Sequence, residues 1–353
     1  MGSKELDLYQ SERDSENSSM TGLIASDDTV IIKVNCQWDE RGGTNTDLLK
    51  ALIQSLLEHP DGFKGEIIVC DNGGGEDRGS QGLGGSFTYD NNNAVNTSQS
   101  IQDVVDSFIG YNVSTYLWSS ITNIRVDEYS EGDMSDGYVV EGEILPRTGL
   151  MVSYPKFTTL FGTHVSFKNG VWDETTGEYD SDALKVINLS MLKSHLAYGV
   201  TACIKNYMGV PSDVLTSEIT GRDLHTHGTI GRGGMGALMV NTRFPVLNII
   251  DSIWINPVPL NGPFTSYRSA KQVNIITAST DPVALDYWSV KHILSQNWEN
   301  RIGEISDSMD PDNTEPGFFG DWLRLSEEEI LSAGIQVNVD ESRMNVYIAE
   351  NNG

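Results

Sequence analysis

Near the middle of the chain stands the stretch Val186-Ile-Asn-Leu-Ser-Met-Leu-Lys193-Ser-His195-Leu-Ala-Tyr-Gly-Val-Thr201-Ala-Cys-Ile-Lys205-Asn206-Tyr-Met-Gly209. Up to Leu189 it is short, apolar and β-branched, which predicts a buried strand. A polar cluster at Lys193 and His195 follows, and then a helix-like segment that carries Lys205-Asn206 and stops at Gly209. In open α/β sheets, ligands bind beyond the carboxyl ends of the strands. These polar residues are therefore candidate ligand contacts. Alternatively, the lysines are solvated and the histidine is an ordinary satisfied polar group.

The amino-terminal part shows a strand–helix–strand pattern. Residues 30–35, Val-Ile-Ile-Lys33-Val-Asn35, predict one strand, and residues 65–70 predict another. Between them, Thr44-Asn45-Thr46 offers helix caps, and apolar residues recur at three- and four-residue spacing over residues 48–57. This pattern predicts a βαβ unit with parallel strands. We therefore predict an α/β fold whose sheet is mainly parallel and Rossmann-like, with flanking helices.

Two regions depart from this pattern. Residues 117–182 contain short strand-like runs and a turn-rich, acidic end, which predicts a β-rich insertion. Residues 1–28 are polar and lack the apolar core of a signal peptide, which predicts a disordered acidic leader. One α/β domain is expected to occupy residues 29–353.

The charge of the chain narrows its partners. A formal net charge of −27 repels nucleic acid phosphates and anionic membranes, so we exclude both as principal partners. Residues 191–243 are the exception, because five basic residues there outnumber three acidic ones. A positive patch in a negative molecule concentrates anions. We infer a ligand that carries a carboxylate or a phosphate.

Several classes of site have no motif here. The three cysteines, Cys36, Cys70 and Cys203, are far apart and form no C-x-x-C pair, so neither a disulfide framework nor an iron–sulfur cluster is expected. Walker A, a dinucleotide-binding glycine motif, a nucleophile triad and H-E-x-x-H are all missing. No apolar run reaches the roughly 18 residues that a transmembrane helix needs. We expect a soluble protein, with the cytoplasm favoured over export.

Two glycine-rich loops are ambiguous. Residues 71–98 form either a mobile loop whose backbone N–H groups bind an anion or a plain surface loop. Residues 221–236 contain His225-Thr-His227. In an extended segment this spacing places both imidazoles on one side, which suits a metal ion, although two histidines alone do not make a site.

Three acidic residues stand out in the carboxyl-terminal part. Residues 246–251 predict a buried strand that ends in Asp251, and residues 273–278 predict another strand. Asp281-Pro282 predicts a helix start with Asp281 as N-cap, and Asp286 falls inside that helix. The three aspartates are candidate ligands of a divalent cation. Alternatively, Asp281 only caps its helix and Asp251 only accepts backbone N–H groups.

Several of these segments, in order, resemble the family known as domain of unknown function 362. The resemblance covers about residues 28–296. It rests on the opening strand with Lys33, on Leu192-Lys193-Ser-His195 with Gly199-Val-Thr201-Ala-Cys-Ile-Lys205-Asn206, and on Ser279-Thr-Asp281-Pro-Val-Ala-Leu-Asp286. It implies a fold and no settled reaction. Many relatives carry iron–sulfur segments, whose cysteine runs this chain lacks.

We therefore expect an enzyme that acts on a small anionic metabolite. Lys193 and Lys205, with Lys33, would hold or polarise the anion, and His195 would transfer a proton because its ordinary pKa lies near working pH. Further ligand contacts are expected from Asn35, Asn206, Thr201 and Arg232. The alternatives are a non-catalytic anion-binding protein and a redox partner, so catalysis itself is left open. Neither the reaction nor the oligomeric state follows from the sequence.

Overall fold

A computed structural model describes residues 7–11, 22–73, 86–88, 91–298 and 306–349. Within these ranges the strands are β1 Tyr9–Gln10, β2 Ile24–Ala25, β3 Thr29–Lys33, β4 Glu66–Asp71, β5 Val113–Leu117, β6 Gly137–Ile144, β7 Met151–Thr158, β8 His164–Ser166, β9 Gly170–Asp173, β10 Glu178–Asp180, β11 Leu184–His195, β12 Gly199–Thr201, β13 Leu247–Asn256 and β14 Lys271–Ser279. The helices are α1 Thr46–Leu57, α2 Ile101–Asp106, α3 Cys203–Asn206, α4 Asp213–Thr220, α5 Gly234–Asn241, α6 Pro282–Ser289 and α7 Phe319–Ser332.

The larger sheet has the strand order β14-β13-β11-β3-β4-β5, and the short β12 pairs with the end of β11. The neighbours from β13 to β5 run parallel, whereas β14 and β12 are antiparallel to their partners. The chain leaves β3 toward β4 and later returns to the other side of β3 as β11. The carboxyl ends of β3 and β11 therefore lie side by side where the direction of winding reverses. This is the place where open α/β sheets form a crevice.

The predicted βαβ unit is confirmed. β3 and β4 pair in parallel on either side of α1 in the chain. The helix begins where predicted, because the Asn45 side chain accepts hydrogen bonds from the N–H groups of Asp47 and Leu48, both at 3.0 Å. Its apolar face, with Leu49 and Ile53, is fully buried against the sheet.

The larger sheet is covered on both faces. Successive side chains of a strand point in opposite directions, so each strand contributes to both layers. Val30 and Ile32 of β3 pack with the apolar residues of α1 and α2. Ile31 faces the other way and packs in a second core that includes residues of the smaller sheet and of α5 to α7. None of the helices in the described ranges combines the length and the apolar character that a membrane span requires.

The prediction of a mainly parallel, Rossmann-like sheet is wrong. A second sheet, of five strands in the order β10-β9-β8-β7-β6, is antiparallel throughout, and the larger sheet is itself mixed. The five strands all lie within residues 117–182, the span for which a β-rich insertion is predicted. Antiparallel neighbours need only a tight turn between them, so short runs close together in the chain pair locally instead of joining a parallel sheet.

The central stretch also differs from its prediction. β11 does not end near Leu189 but continues to His195, and Gly199–Thr201 returns as β12 where a helix is predicted. The helix itself is a single turn, Cys203–Asn206. The polar side chains of Lys193 and His195 thus project from a hairpin rather than from a loop.

Part of the predicted disordered leader is packed. β1 pairs in parallel with β2, and Ile24 and Ala25 are fully buried. His59 Nε2 contacts the carbonyl oxygens of Gln10 and Ile24 at 3.0 and 3.2 Å, which ties this strand pair to the end of α1. Two parts of the leader, residues 1–6 and 12–21, lie outside the described residues. So do residues 74–85 and 89–90 of the first glycine-rich loop.

Candidate functional site

A cleft of about 370 Å³ lies over the carboxyl ends of β3, β4 and β11. The structure brings seven of the predicted side chains together in its lining, which are Lys33, Asn35, Lys193, His195, Thr201, Lys205 and Asn206. They come from two separate parts of the chain, residues 33–35 and 193–206, and the parallel pairing of β3 with β11 places these parts side by side. The same lining holds Asp71, Asp213 and His227, none of which was predicted as a ligand contact of this cleft.

A buried ion pair forms the floor of the cleft. Lys33 Nζ lies 2.9 Å from Asp71 Oδ1, with both side chains almost fully buried. Nζ also donates to the carbonyl oxygen of Val34 (2.8 Å) and to Asn206 Oδ1 (2.9 Å), so its three hydrogens are all used. A Cβ atom on Gly209 would lie 2.2 Å from Asp71 Oδ1 and 2.5 Å from Lys33 Nζ. Glycine at this position lets the backbone pass directly over the pair.

A second lysine sits beside this floor. Lys193 Nζ donates to Asn35 Oδ1 (3.2 Å) and to the carbonyl oxygen of Gly42, and the residue is fully buried. Burial and then the nearby positive charge of Lys205 lower the pKa of Lys193 well below its ordinary value.

His195 ends β11, and the hairpin turn fixes its ring. The backbone N–H groups of Ala197 and Tyr198 donate to Nδ1 at 3.1 and 3.3 Å. Burial, followed by the charges of Lys205, Lys193 and His227, lowers the pKa of His195 far below its ordinary value.

The prediction of proton transfer by His195 used the ordinary pKa of histidine, and burial moves the pKa of this ring away from working pH. The imidazole is neutral, and since Nδ1 accepts two hydrogen bonds, the ring hydrogen is on Nε2. His195 can donate a hydrogen bond to a bound oxygen, and a nearby neutral imidazole is a known way to stabilise negative charge.

Lys205 and Asn206 are carried by the one-turn helix α3, which Asp286 holds in place. Asp286 accepts hydrogen bonds from the N–H groups of Cys203 (2.7 Å) and Ile204 (2.9 Å). Burial raises the pKa of Asp286 to about 7, although these hydrogen bonds act in the opposite direction. Lys205 Nζ stands 5.3 Å from the centre of the Tyr198 ring, within the range of a cation–π contact. Asp286 thus fixes the helix that carries Lys205 and Asn206 without itself lining the cleft.

Thr201 contributes a polar atom that lacks a partner. The residue is 3 % exposed and lines the cleft, and within the described residues its hydroxyl oxygen has no hydrogen-bond partner. A buried hydroxyl without a hydrogen bond costs roughly 1–3 kcal/mol. A ligand oxygen in the cleft would supply the missing partner.

A histidine–aspartate pair also lines the cleft. His227 Nδ1 donates to Asp213 Oδ2 at 2.5 Å, and Asp213 Oδ1 accepts the Thr226 N–H at 2.7 Å. The Tyr198 hydroxyl donates to the backbone carbonyl of His227 at 3.0 Å, which joins this pair to the hairpin. A carboxylate bound to Nδ1 orients the ring and leaves Nε2 as the atom that exchanges a proton. Sequence reasoning missed Asp213, because no local pattern links it to a histidine 14 residues later.

Arg232 and His225 lie outside the cleft lining. Arg232 donates to the carbonyl oxygen of Gly228 at 3.3 Å and does not reach the cleft. His225 and His227 do not form the extended H-x-H arrangement, because Thr226 between them has helical backbone angles. His225 is buried instead, and burial lowers its pKa.

The three aspartates proposed as metal ligands each bind backbone N–H groups. Asp251 accepts from Asn45 (2.9 Å) and from Ile253 (3.0 Å), and burial raises its pKa to about 6. Asp281 is the N-cap of α6, as one of the two alternatives predicted. Within the described ranges, no three His, Cys, Asp or Glu side chains come together in an arrangement that could hold a metal ion.

Comparison with known proteins identifies one family. Residues 172–291 match the family model described as Domain of unknown function (DUF362). The matched segment contains most of the cleft residues, from Lys193 to His227, whereas Lys33 and Asp71 lie before it. No curated protein and no solved structure matches the chain. The predicted resemblance to the domain of unknown function 362 family is thus confirmed over residues 172–291.

Proposed function

We propose that the protein is an enzyme that binds a small carboxylate or phosphate in the cleft and moves a proton to or from it. One observation carries the proposal. Lys205, His195 and Thr201 line the same cleft as the His227–Asp213 pair. Groups suited to holding an anion therefore share one cleft with a group suited to proton transfer.

Anion binding rests on the donors of the β11–β12 hairpin and of α3. Lys205 supplies a positive charge, His195 a neutral N–H, and Thr201 a hydroxyl that has no hydrogen-bond partner among the described residues. The cleft lining holds three lysines and two aspartates, so within a chain of net charge −27 it repels an anion less than the rest of the surface does. Hydrogen bonds to a charged group are worth roughly 1.5–3 kcal/mol each, enough to hold a small ligand.

Proton transfer is assigned to His227 rather than to His195. Asp213 fixes the His227 ring and favours the imidazolium that forms when Nε2 takes a proton. With its Nδ1 held by a carboxylate, the His227 ring has the arrangement in which Nε2 acts as a general base. Asp71, the other carboxylate of the lining, is already paired with Lys33.

The binding part of the proposal is tested by calorimetric titration with acetate, butyrate, hexanoate and inorganic phosphate. Lys205→Met should weaken binding by at least about tenfold, because a charged hydrogen bond is lost. Lys64, an exposed lysine before the opposite end of β4, provides the control, and Lys64→Met should bind like the wild type. Lys205→Arg keeps the charge and should bind more tightly than Lys205→Met. Equal affinities in all three variants would contradict the proposal.

The proton-transfer part is tested without knowing the reaction. Carboxylates with an acidic C–H, such as 2-oxobutyrate, are incubated with the protein in D₂O, and deuterium incorporation is followed by NMR. His227→Gln should slow incorporation by about 10²–10⁴-fold while affinity changes little. His164 is the matched control, because it is paired with Glu174 at 2.7 Å and lies outside the cleft lining. Binding with no incorporation into any member of the panel would favour the alternative of a non-catalytic anion-binding protein.

A divalent cation and a cytoplasmic location stay predictions. The first is tested by thermal unfolding with Mg²⁺, Mn²⁺ or Ca²⁺ against a chelator. A ligand that binds only the folded state raises the unfolding temperature.

A further inference from the structure

Three large apolar side chains at the cleft are exposed. Leu196 is 64 %, Leu224 43 % and Val214 37 % exposed, and all three belong to the cleft lining. Single exposed apolar residues are common, but several around one hollow mark a surface that binds something. We call these three residues the apolar rim.

The apolar rim is built next to the polar groups of the site. Leu196 directly follows His195, and Val214 directly follows Asp213. Leu224 has a positive backbone angle, φ 49°, which is strained for a bulky residue that is not glycine. Strain of this kind concentrates at binding sites and persists only when the surrounding structure imposes it. The fold thus holds an exposed leucine at the cleft in an unfavourable backbone conformation.

The volume of the cleft also favours a ligand larger than acetate or phosphate. A volume of about 370 Å³ equals the liquid volume of about a dozen water molecules, more than acetate or phosphate fills. It also falls within the range of roughly 300–1,000 Å³ typical of small-molecule pockets, which are mostly apolar with a few polar groups. Trp38, Met208 and Pro263 add further apolar lining.

We propose that the ligand is amphipathic, with an anionic head at Lys205 and an apolar tail of several carbons against the apolar rim. This inference rests on the proposed anion site and narrows its substrate class. A short hydrophilic acid fills only the polar part of the cleft. A medium-chain or aromatic acid fills both parts and covers the apolar rim.

The test is the chain-length dependence of binding. Straight-chain carboxylates from acetate to octanoate are titrated by calorimetry below their micelle concentrations. Affinity should rise about fourfold for each added methylene, the factor that corresponds to about 0.8 kcal/mol per buried CH₂, until the tail extends beyond the rim.

Two variants test where the apolar tail of the ligand binds, and a third is the control. Leu196→Ser and Leu224→Asn should each flatten this dependence while acetate binds as before. Asn tolerates the left-handed backbone region better than Leu, so Leu224→Asn should fold at least as well as the wild type. Leu160, 78 % exposed outside the cleft lining, is the control, and Leu160→Ser should leave the dependence unchanged.

Each outcome separates the two proposals. If acetate and octanoate bind equally and both need Lys205, the anion site stands and the apolar subsite is wrong. If the dependence is as steep in Leu196→Ser and Leu224→Asn as in the wild type, the tail binds elsewhere and the inference is overturned. If no carboxylate binds at all, the proposed function itself fails.

Discussion

Substitution of Lys33 by methionine should destabilise the protein by about 3–5 kcal/mol. Lys33 and Asp71 are almost fully buried and 2.9 Å apart, so the substitution leaves a carboxylate in the interior without its counter-ion. Breaking a buried pair from one side costs about this much, because the remaining charge is desolvated and uncompensated. Methionine retains the apolar volume of the lysine stem, so a cavity contributes little.

The assay is urea unfolding at neutral pH with linear extrapolation to water, applied to the wild type, Lys33→Met, Asp71→Asn and the double variant. Replacing both members of a buried pair by neutral residues is often close to neutral. The double variant should therefore be more stable than the sum of the single effects allows, with a coupling energy of at least about 3 kcal/mol. Lys64→Met, at an exposed position, should stay within about 0.5 kcal/mol of the wild type.

Two results would refute this reasoning. A loss below about 1 kcal/mol in Lys33→Met would show that the pair is solvated rather than buried. Strict additivity of the two single variants would show that the charges do not interact across the floor of the cleft.

Two further predictions concern residues around the cleft. The folded-state pKa of Asp286 lies near 7, above its ordinary value of 3.8, so its contribution to stability is present at low pH and is lost as pH rises through 7. Ionisation of Asp286 should therefore lower the unfolding free energy by about 2–3 kcal/mol between about pH 5 and pH 8. Urea unfolding of Asp286→Asn over the same pH range should lack this fall. The same pH dependence in the variant and the wild type would contradict the raised pKa of Asp286. Thr201→Val should raise the unfolding free energy by about 1 kcal/mol and weaken carboxylate binding up to about tenfold, because the hydroxyl is unpaired until a ligand binds. Calorimetry and urea unfolding check both effects, and a variant that binds as tightly as the wild type would remove Thr201 from the site.

Local patterns predicted the elements that build the cleft. Strand β3, helix α1 and strand β4 follow from apolar periodicity and a capping asparagine, which act within a few residues of one another. The meeting of Lys33, Lys193 and Lys205 was predicted because polar residues after parallel strands share one edge of the sheet.

What escaped prediction depends on partners distant in the chain. β11 was expected to end near Leu189, yet the polar Ser190 and Lys193 remain in the strand because Ile249 and Asn35 supply their hydrogen bonds. Polar residues in a buried strand are misread when those partners are unknown.

The terminal elements show the same limit. The run Met344-Asn-Val-Tyr-Ile348 has a pattern typical of an edge strand but pairs with no strand in the described ranges. The sequence Ser326-Glu-Glu-Glu329 is typical of a helix start, whereas Ser326 lies inside α7 and donates to the Trp322 carbonyl oxygen at 2.9 Å.

The most direct test of the account is a crystal structure of the protein with hexanoate. The account predicts the carboxylate within about 3.2 Å of Lys205 Nζ, His195 Nε2 and Thr201 Oγ1, with the carbon chain against Leu196. Hexanoate bound outside the cleft, or a carboxylate turned away from Lys205 toward solvent, would contradict it.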